Sequence, residues 1–237
     1  MSRKIDRVEI EWVRRNEKAW LSRTYPNGVV RLPRNPLSPK IEFLSSETDR
    51  LGPQPLWRGY PPQTLGDSRS PNDVRASQSM GKFYSHLVTC KKPDVVVEFG
   101  TAFGVSGMYF LSGLQTNGRG MLLTFEPNEI WAAIALANLK QISPRFDLTI
   151  GTFEENIGLK LKEKTIDIAL IDAVHTSEFV LLQLELVVRR SKQGTIILLD
   201  DICFSEDMRG CWEKVSHDPR FITSAVINNR VGLLELA

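Results

Sequence analysis

The sequence predicts an α/β protein whose sheet is doubly wound, mostly parallel and closed by an antiparallel hairpin. Three observations predict it. Short apolar runs of buried-strand type recur from Val95 onward, and helical stretches separate them. The last two runs, Phe221–Ile227 and Val231–Leu236, are joined only by Asn228-Asn229-Arg230. So short a link cannot make a parallel crossover, so those two strands pair antiparallel.

In chain order, Val95-Val96-Val97-Glu98-Phe99 is the first such strand, followed by a glycine turn and a helix over 105–115. Met121–Phe125 repeats the strand signal and Glu129–Gln141 the helix. Phe146–Ile150 is the third strand, with a short helix after it. Ile166–Ile171 is the fourth, followed by a helix from Ser177 to about Arg190. Thr195–Leu199 is the fifth, with a helix over Met208–Ser216. Alternating strands and helices imply a parallel sheet covered on both faces. Residues 1–71 differ from this pattern and read as a proline-rich extension lying on the domain of residues 72–237. Ile5, Val8 and Trp12 recur at helical spacing, which predicts a short helix over 5–21. Nine prolines from Pro26 to Pro71, Pro61 and Pro62 among them, predict extended chain and turns before a helix that begins at Ser70-Pro71-Asn72-Asp73 and runs to about Thr89.

The 237 residues, 42% hydrophobic and 24% charged, suffice for a sizeable core and exclude a disordered or fibrous chain. No stretch approaches the roughly 20 apolar residues that cross a bilayer, so no membrane partner is expected. The charged start Met-Ser-Arg-Lys-Ile-Asp-Arg leads into no apolar signal core. Cys90, Cys203 and Cys211 are odd in number and lack metal-type spacing. A cytoplasmic location is the expectation. Residues 1–40 carry ten Lys/Arg against four Asp/Glu, a local +6 on a chain of net +2. Such an arm can meet an anionic partner, nucleic acid included. Its Trp12 and Trp20 favour docking on its own acidic body or on a second subunit, so a homo-oligomer through this segment is an open expectation.

The chemistry concentrates at strand ends, where doubly wound sheets bind ligands. Glu98-Phe99-Gly100-Thr101-Ala102-Phe103-Gly104-Val105-Ser106 turns the first strand into the first helix. Gly100 permits a sharp turn, and Gly104 the close approach of a ligand or a neighbouring strand. Ala102 breaks the dinucleotide G-x-G-x-x-G pattern, and a turn that binds nothing is the alternative. Glu126 ends the second strand and can accept both hydroxyls of a ribose. Glu98 at the first strand would repel a pyrophosphate and attract a ligand carrying an ammonium and a sulfonium. The pair favours S-adenosylmethionine over a nicotinamide cofactor.

Asp172 follows the fourth strand, and Asp200 and Asp201 follow the fifth. Adjacent parallel strands end on one side, so the three carboxylates are expected to converge near the cofactor. A divalent cation would relieve their mutual repulsion, and all-oxygen ligands suit Mg²⁺, Mn²⁺ or Ca²⁺ rather than zinc. The alternatives are that Asp201 caps the next helix and that Asp200 is a lone contact. His175, three residues after Asp172, is a candidate general base or substrate-orienting group.

Taken in order, these residues resemble the class I S-adenosylmethionine-dependent methyltransferases, with a Rossmann-like seven-stranded sheet ending in an antiparallel hairpin. Within that group, Val97–Ser106, Ile171-Asp172-Ala173-Val174-His175 and Leu199-Asp200-Asp201-Ile202 look like the metal-dependent small-molecule O-methyltransferases, such as those acting on macrolide and aminocoumarin sugars and, more distantly, on catechols. The resemblance covers about residues 72–237. It implies that Glu98, Gly100, Thr101, Ala102, Gly104 and Ser106 hold the methionine part of the cofactor and Glu126 the ribose, with Pro127 beside the adenine. Thr152 and Phe153 would line the adenine pocket. It implies Asp172, Asp200 and Asp201 as ligands of Mg²⁺ or another divalent cation, with Asp172 also near the cofactor. The catechol enzymes' lysine base falls where His175 stands, which leaves Asp172 and His175 as rival catalytic groups. Their third ligand, an asparagine, is Asp201 here. The implied activity is methyl transfer to a hydroxyl of a sugar, polyketide or catechol-like molecule. Transfer to RNA or protein without a metal, or a non-catalytic interaction protein, are the alternatives. The substrate pocket is expected from the segment before residue 72 and the loops after His175 and Ile202, with Trp20, Trp57 and Phe204 as candidate covers for a ring.

Overall fold

The computed structural model describes residues 6–59 and 66–237. The described chain runs β1 (Arg7–Arg14), α1 (Trp20–Thr24), β2 (Val29–Arg31), α2 (Ser38–Asp49), the short strands β3 (Gln54–Pro55) and β4 (Ser68–Arg69), a 3₁₀ turn at Pro71–Asp73 and α3 (Gln78–Lys91). Regular alternation follows: β5 (Val95–Phe99), α4 (Val105–Asn117), β6 (Met121–Glu126), α5 (Glu129–Lys140), β7 (Phe146–Ile150), α6 (Phe153–Leu161), β8 (Ile166–Ile171), α7 (Ser177–Val188), β9 (Ser191–Leu199) and α8 (Glu206–Ser216). The hairpin β10 (Phe221–Ile227) and β11 (Val231–Leu236) closes the chain. The large sheet has nine strands in the order β2-β1-β10-β11-β9-β8-β5-β6-β7. β6 and β7 pair parallel, as do β8 and β9, whereas β9–β11, β11–β10, β10–β1 and β1–β2 are antiparallel. The α/β class with a parallel centre and a terminal hairpin is therefore as expected, and two further strands, β1 and β2, extend the expected seven.

The first of them, β1, overturns the helix expected over 5–21. Val8 and Ile10 are buried while Glu9 and Glu11 between them are exposed. That is a strand's period of two, and the spacing Val8 to Trp12 is compatible with either period. Pairing with β10 settled it, because a strand's donors there meet a ladder rather than water. Ile5, Pro61 and Pro62 lie outside the described residues. The expected stretch of extended chain also contains α2, whose Pro39 sits in the first turn, where a missing N–H costs nothing. The helix expected from residue 70 starts only at Gln78, where the Ser77 hydroxyl accepts the Met80 N–H.

The chain divides into two compact units. One comprises Met1–Pro33, Asp94–Val97 and Leu161–Ala237, the other Arg34–Pro93 and Glu98–Lys160. In the first, the buried Glu235 carboxylate of β11 accepts the Trp20 and Leu21 N–H groups, both at 2.8 Å, and so caps α1. The Arg14 guanidinium donates to the carbonyls of His217 and Asp218 at 3.0 and 3.2 Å, and to that of Phe221. In the second, α3 and α4 pack tightly: a Cβ at Gly81 would stand 2.1 Å from the Tyr109 ring. The Tyr109 hydroxyl donates to Glu42 of α2 at 2.8 Å, and Arg75 grips the same carboxylate through two 2.8 Å bonds.

Candidate functional site

The glycine turn lies wholly in the second unit. β5 ends on Glu98 and Phe99, both buried. The chain then turns with Gly100 at φ 84°, Ala102 at 46° and Gly104 at 86°. The Gly100 and Thr101 N–H groups both donate to the Phe125 carbonyl of β6 at 3.2 Å, which holds the turn against its neighbour. Gly104 is the N-cap of α4 and offers no side chain to the first-turn N–H groups. A Cβ there would lie 3.4 Å from Ala135, so its close neighbour is helix α5 rather than a strand.

Glu98 is the centre of this turn. Its Oε2 accepts the Thr124 hydroxyl at 2.6 Å, and the Ser106 hydroxyl also donates to the carboxylate. The Thr101 hydroxyl stands 2.5 Å from that of Thr124 and extends the chain of donors. Its Oε1 is buried with no hydrogen-bond partner. Burial pushes the Glu98 carboxyl up to about 7, against the pull of the Ser106 and Thr124 hydroxyls. Glu126, also buried, accepts the Ala102 N–H at 2.8 Å on one oxygen and the Asn128 N–H at 3.0 Å on the other. Burial lifts it to about 7 too, opposed by those two backbone donors and aided by the nearby Glu98 charge. Pro127 is half-buried beside it. Thr152 donates its hydroxyl to Glu155 at 2.9 Å, and Phe153 is buried edge-on to Phe125 with ring centres 5.3 Å apart. The structure thus gathers Glu98, Thr124, Thr101 and Ser106 into one hydrogen-bonded set and ties Glu126 to the Ala102 and Asn128 N–H groups in a second.

The second group lies in the first unit. Ile171 and Leu199 are register partners at the ends of β8 and β9, which places Asp172 and Asp200 just beyond paired positions. His175 Nε2 lies 3.8 Å from Asp172 Oδ1 and 3.6 Å from Asp201 Oδ2, and Phe204, exposed, stacks obliquely at 5.3 Å from its ring. Asp201 adopts the left-handed conformation at φ 52°. The decisive contact is with Arg230, which the sequence reading passed over. Its Nε and Nη2 fork onto the two Asp200 oxygens at 3.1 and 2.7 Å, and its Nε is also 2.9 Å from Asp201 Oδ1. The bond to Asp200 raises the guanidinium further above its ordinary value. Asp201 is pushed up by burial and by the Asp200 charge, with His175 and Arg230 pulling the other way.

A divalent cation would need the oxygens that Arg230 holds, so the residues as arranged do not fit the expected Mg²⁺. Among the described residues, no group of three or more His, Cys, Asp or Glu side chains is arranged to hold a metal ion. The methionine end of the expected cofactor does fit the other group. The lone buried acceptor at Glu98 lacks a donor, and an ammonium supplies one.

Residues 97–202 match a family described as a methyltransferase domain. No curated protein matches the chain in sequence. Many solved structures share its fold. An O-methyltransferase from Bacillus cereus in complex with S-adenosylhomocysteine is 17% identical, with a TM-score of 0.60 over 92% of this chain and 97% of that one. TomG from Streptomyces achromogenes, an O-methyltransferase of tomaymycin synthesis in complex with S-adenosylmethionine, is 15% identical, with a TM-score of 0.61 over 87% and 92%. The S-adenosylhomocysteine-bound methyltransferase PaMTH1 from Podospora anserina is 16% identical, with a TM-score of 0.58 over 87% and 98%.

The expected cofactor, metal and catalytic residues, from Glu98 to Asp201, fall inside the matched segment, whereas Trp20, Trp57, Phe204 and Arg230 fall outside it. Two signals pointed to residues passed over. Thr124 stands two positions before Glu126 on one strand, hence on the same face. Arg230 ends the Asn-Asn-Arg hairpin link, and the pairing of Gly232 with Leu199 brings that link to the end of β9. Among the described residues, no helix of the chain is long and apolar enough to cross a membrane.

Proposed function

We propose that the protein transfers a methyl group from S-adenosylmethionine to a hydroxyl of a small molecule. The observation that carries this is Glu98, a buried carboxylate at the end of β5 with one oxygen hydrogen-bonded and the other without a donor. In this reading Glu98 takes the cofactor's ammonium, and the uncapped first turn of α4 after Gly104 takes its carboxylate. Glu126 accepts the ribose hydroxyls with the lone pairs left over from Ala102 and Asn128, and Pro127, Thr152 and Phe153 lie toward the adenine. Bound S-adenosylmethionine supplies an electrophilic methyl on a sulfonium. In the displacement the O–CH₃ bond forms, the S–CH₃ bond breaks with its electron pair left on sulfur, and the hydroxyl proton must go to a base. His175 is the group we assign to that proton, with Asp172 and Asp201 both within 3.8 Å of its Nε2 to offset the charge it gains. The resemblance and the O-methyltransferase neighbours support a hydroxyl rather than a nitrogen as acceptor, and a hydroxylated small molecule rather than a polymer.

The division into an extension of residues 1–71 and a domain of residues 72–237 is part of the same proposal, supported by the regular strand–helix alternation that begins at β5, with β1 and β2 of the extension added to the sheet beside β10. A Mg²⁺ site at Asp172, Asp200 and Asp201 is the second reading, favoured by the grouping of those carboxylates after β8 and β9; it requires Arg230 to move. The test is transfer of a labelled methyl from S-adenosylmethionine to a panel of vicinal diols, catechols and hydroxylated macrolides, with and without EDTA. Label recovered in an ether product, with equal rates in EDTA, is the expected result. Label appearing only in added RNA or protein would overturn the substrate class, and activity lost to EDTA would favour the second reading.

A further inference from the structure

We infer that Arg230 is the resident cation of the Asp200–Asp201 pair and closes this site to divalent metals. The inference concerns the carboxylate group alone and does not depend on which substrate receives a methyl. Asp200 is 5% exposed, and both its oxygens are taken by the Arg230 guanidinium, as is Oδ1 of Asp201. Asp201 Oδ2 and Asp172 Oδ1 face His175 instead. The planar fork matches a carboxylate in two-point register, which a spherical ion in octahedral coordination would have to break.

The arginine is delivered by the backbone rather than by a flexible reach. Asn228 and Asn229 both adopt positive φ, 49° and 55°, and so turn the three-residue link between β10 and β11 tightly back on itself. The Asn228 side chain accepts the Glu9 N–H at 2.9 Å and braces the turn against β1. Arg230 itself donates its N–H to Ile227 at 3.0 Å and accepts the Ile202 N–H at 3.0 Å. These bonds set its Cα beside the end of β9, so the guanidinium meets Asp200 and Asp201 with its backbone already anchored. The left-handed turn at Asp201 keeps the second carboxylate within reach of the same Nε. A cation entering the pair must therefore displace a bound, anchored charge, whereas in an ordinary acidic cluster it would displace water.

The experiment is Mn²⁺ binding read by electron paramagnetic resonance on the full chain. Wild type, Arg230→Gln, Arg230→Lys and the double variant Arg230→Gln/Asp200→Asn are compared, with circular dichroism confirming that each is folded. Wild type should leave Mn²⁺ free in solution. Arg230→Gln should bind it about tenfold or more tightly than wild type, and Asp200→Asn in that background should abolish the gain. Arg230→Lys, which keeps the charge but not the fork, should fall between them, and it serves if Arg230→Gln fails to fold. Mn²⁺ bound by wild type as tightly as by Arg230→Gln would overturn the inference, as would no binding by either substituted form.

Discussion

Replacing Glu98 with glutamine should change the pH dependence of stability more than its magnitude. The carboxyl is fully buried and sits at about 7 instead of its ordinary 4.5. Because the folded state holds this proton more tightly than the unfolded chain, the group's contribution is fully present below about 4.5 and is lost as pH rises through about 7. Each pH unit of difference is worth about 1.4 kcal/mol, so the loss across that window is about 3 kcal/mol. Glutamine keeps an acceptor for the Thr124 hydroxyl but carries no proton to lose. Urea unfolding of wild type and Glu98→Gln at pH 5, 6, 7 and 8, without cofactor, reads the difference directly. Glu98→Gln should gain about 2.5 kcal/mol relative to wild type between pH 5 and pH 8. The lowered His86 and the raised Glu126 also tilt the absolute curves, but they are common to both proteins and cancel to the extent that Glu126 does not feel the Glu98 charge. A stability difference that stays flat over this range would refute the burial argument for Glu98.

Three further outcomes follow from the packing. Gly104→Ala should cost about 1–2 kcal/mol in thermal or urea unfolding, because the cost comes from a φ of 86° rather than from the 3.4 Å contact with Ala135. Glu235→Ala should cost about 1–3 kcal/mol, since it leaves the Trp20 and Leu21 N–H groups without their acceptor, and it should leave S-adenosylhomocysteine affinity unchanged. Asp167 is pushed up by burial but held below its ordinary range by Lys192 and by the Val95 and Asp94 N–H groups. Its contribution is present above the unfolded value of 3.8 and is lost as pH falls below it, so the stability gap between wild type and Asp167→Asn should shrink in acid titration below about pH 4.

The parallel core was legible because its strands are buried on both faces and read as unbroken apolar runs, Val95–Phe99 and Ile166–Ile171 above all. β1 was not, since Val8 and Trp12 satisfy the helical period as well as the strand period, and the β10 edge that decides between them lies some two hundred residues away in sequence. α2 was hidden by prolines that act as helix starters rather than breakers. In the site, Glu98 and Glu126 could be read because an acid at the end of an apolar strand stands out locally. Asp172, Asp200 and Asp201 stood out for the same reason, and that is why the cluster read as a metal site. Its partner Arg230 was invisible to local reading: it is one of many surface-type arginines, and only the β9–β11 register brings it to the carboxylates.

Whether the Glu98 turn binds the cofactor is measured by isothermal titration of S-adenosylhomocysteine at pH 6 and pH 8. Wild type should bind, and about tenfold more tightly at pH 8, because an ammonium favours the ionised carboxylate and Glu98 ionises near 7. Glu98→Gln should bind more weakly at pH 8, with little change between the two pH values. No heat with wild type at either pH would contradict the account, and equal affinities for wild type and Glu98→Gln at pH 8 would remove Glu98 from the site.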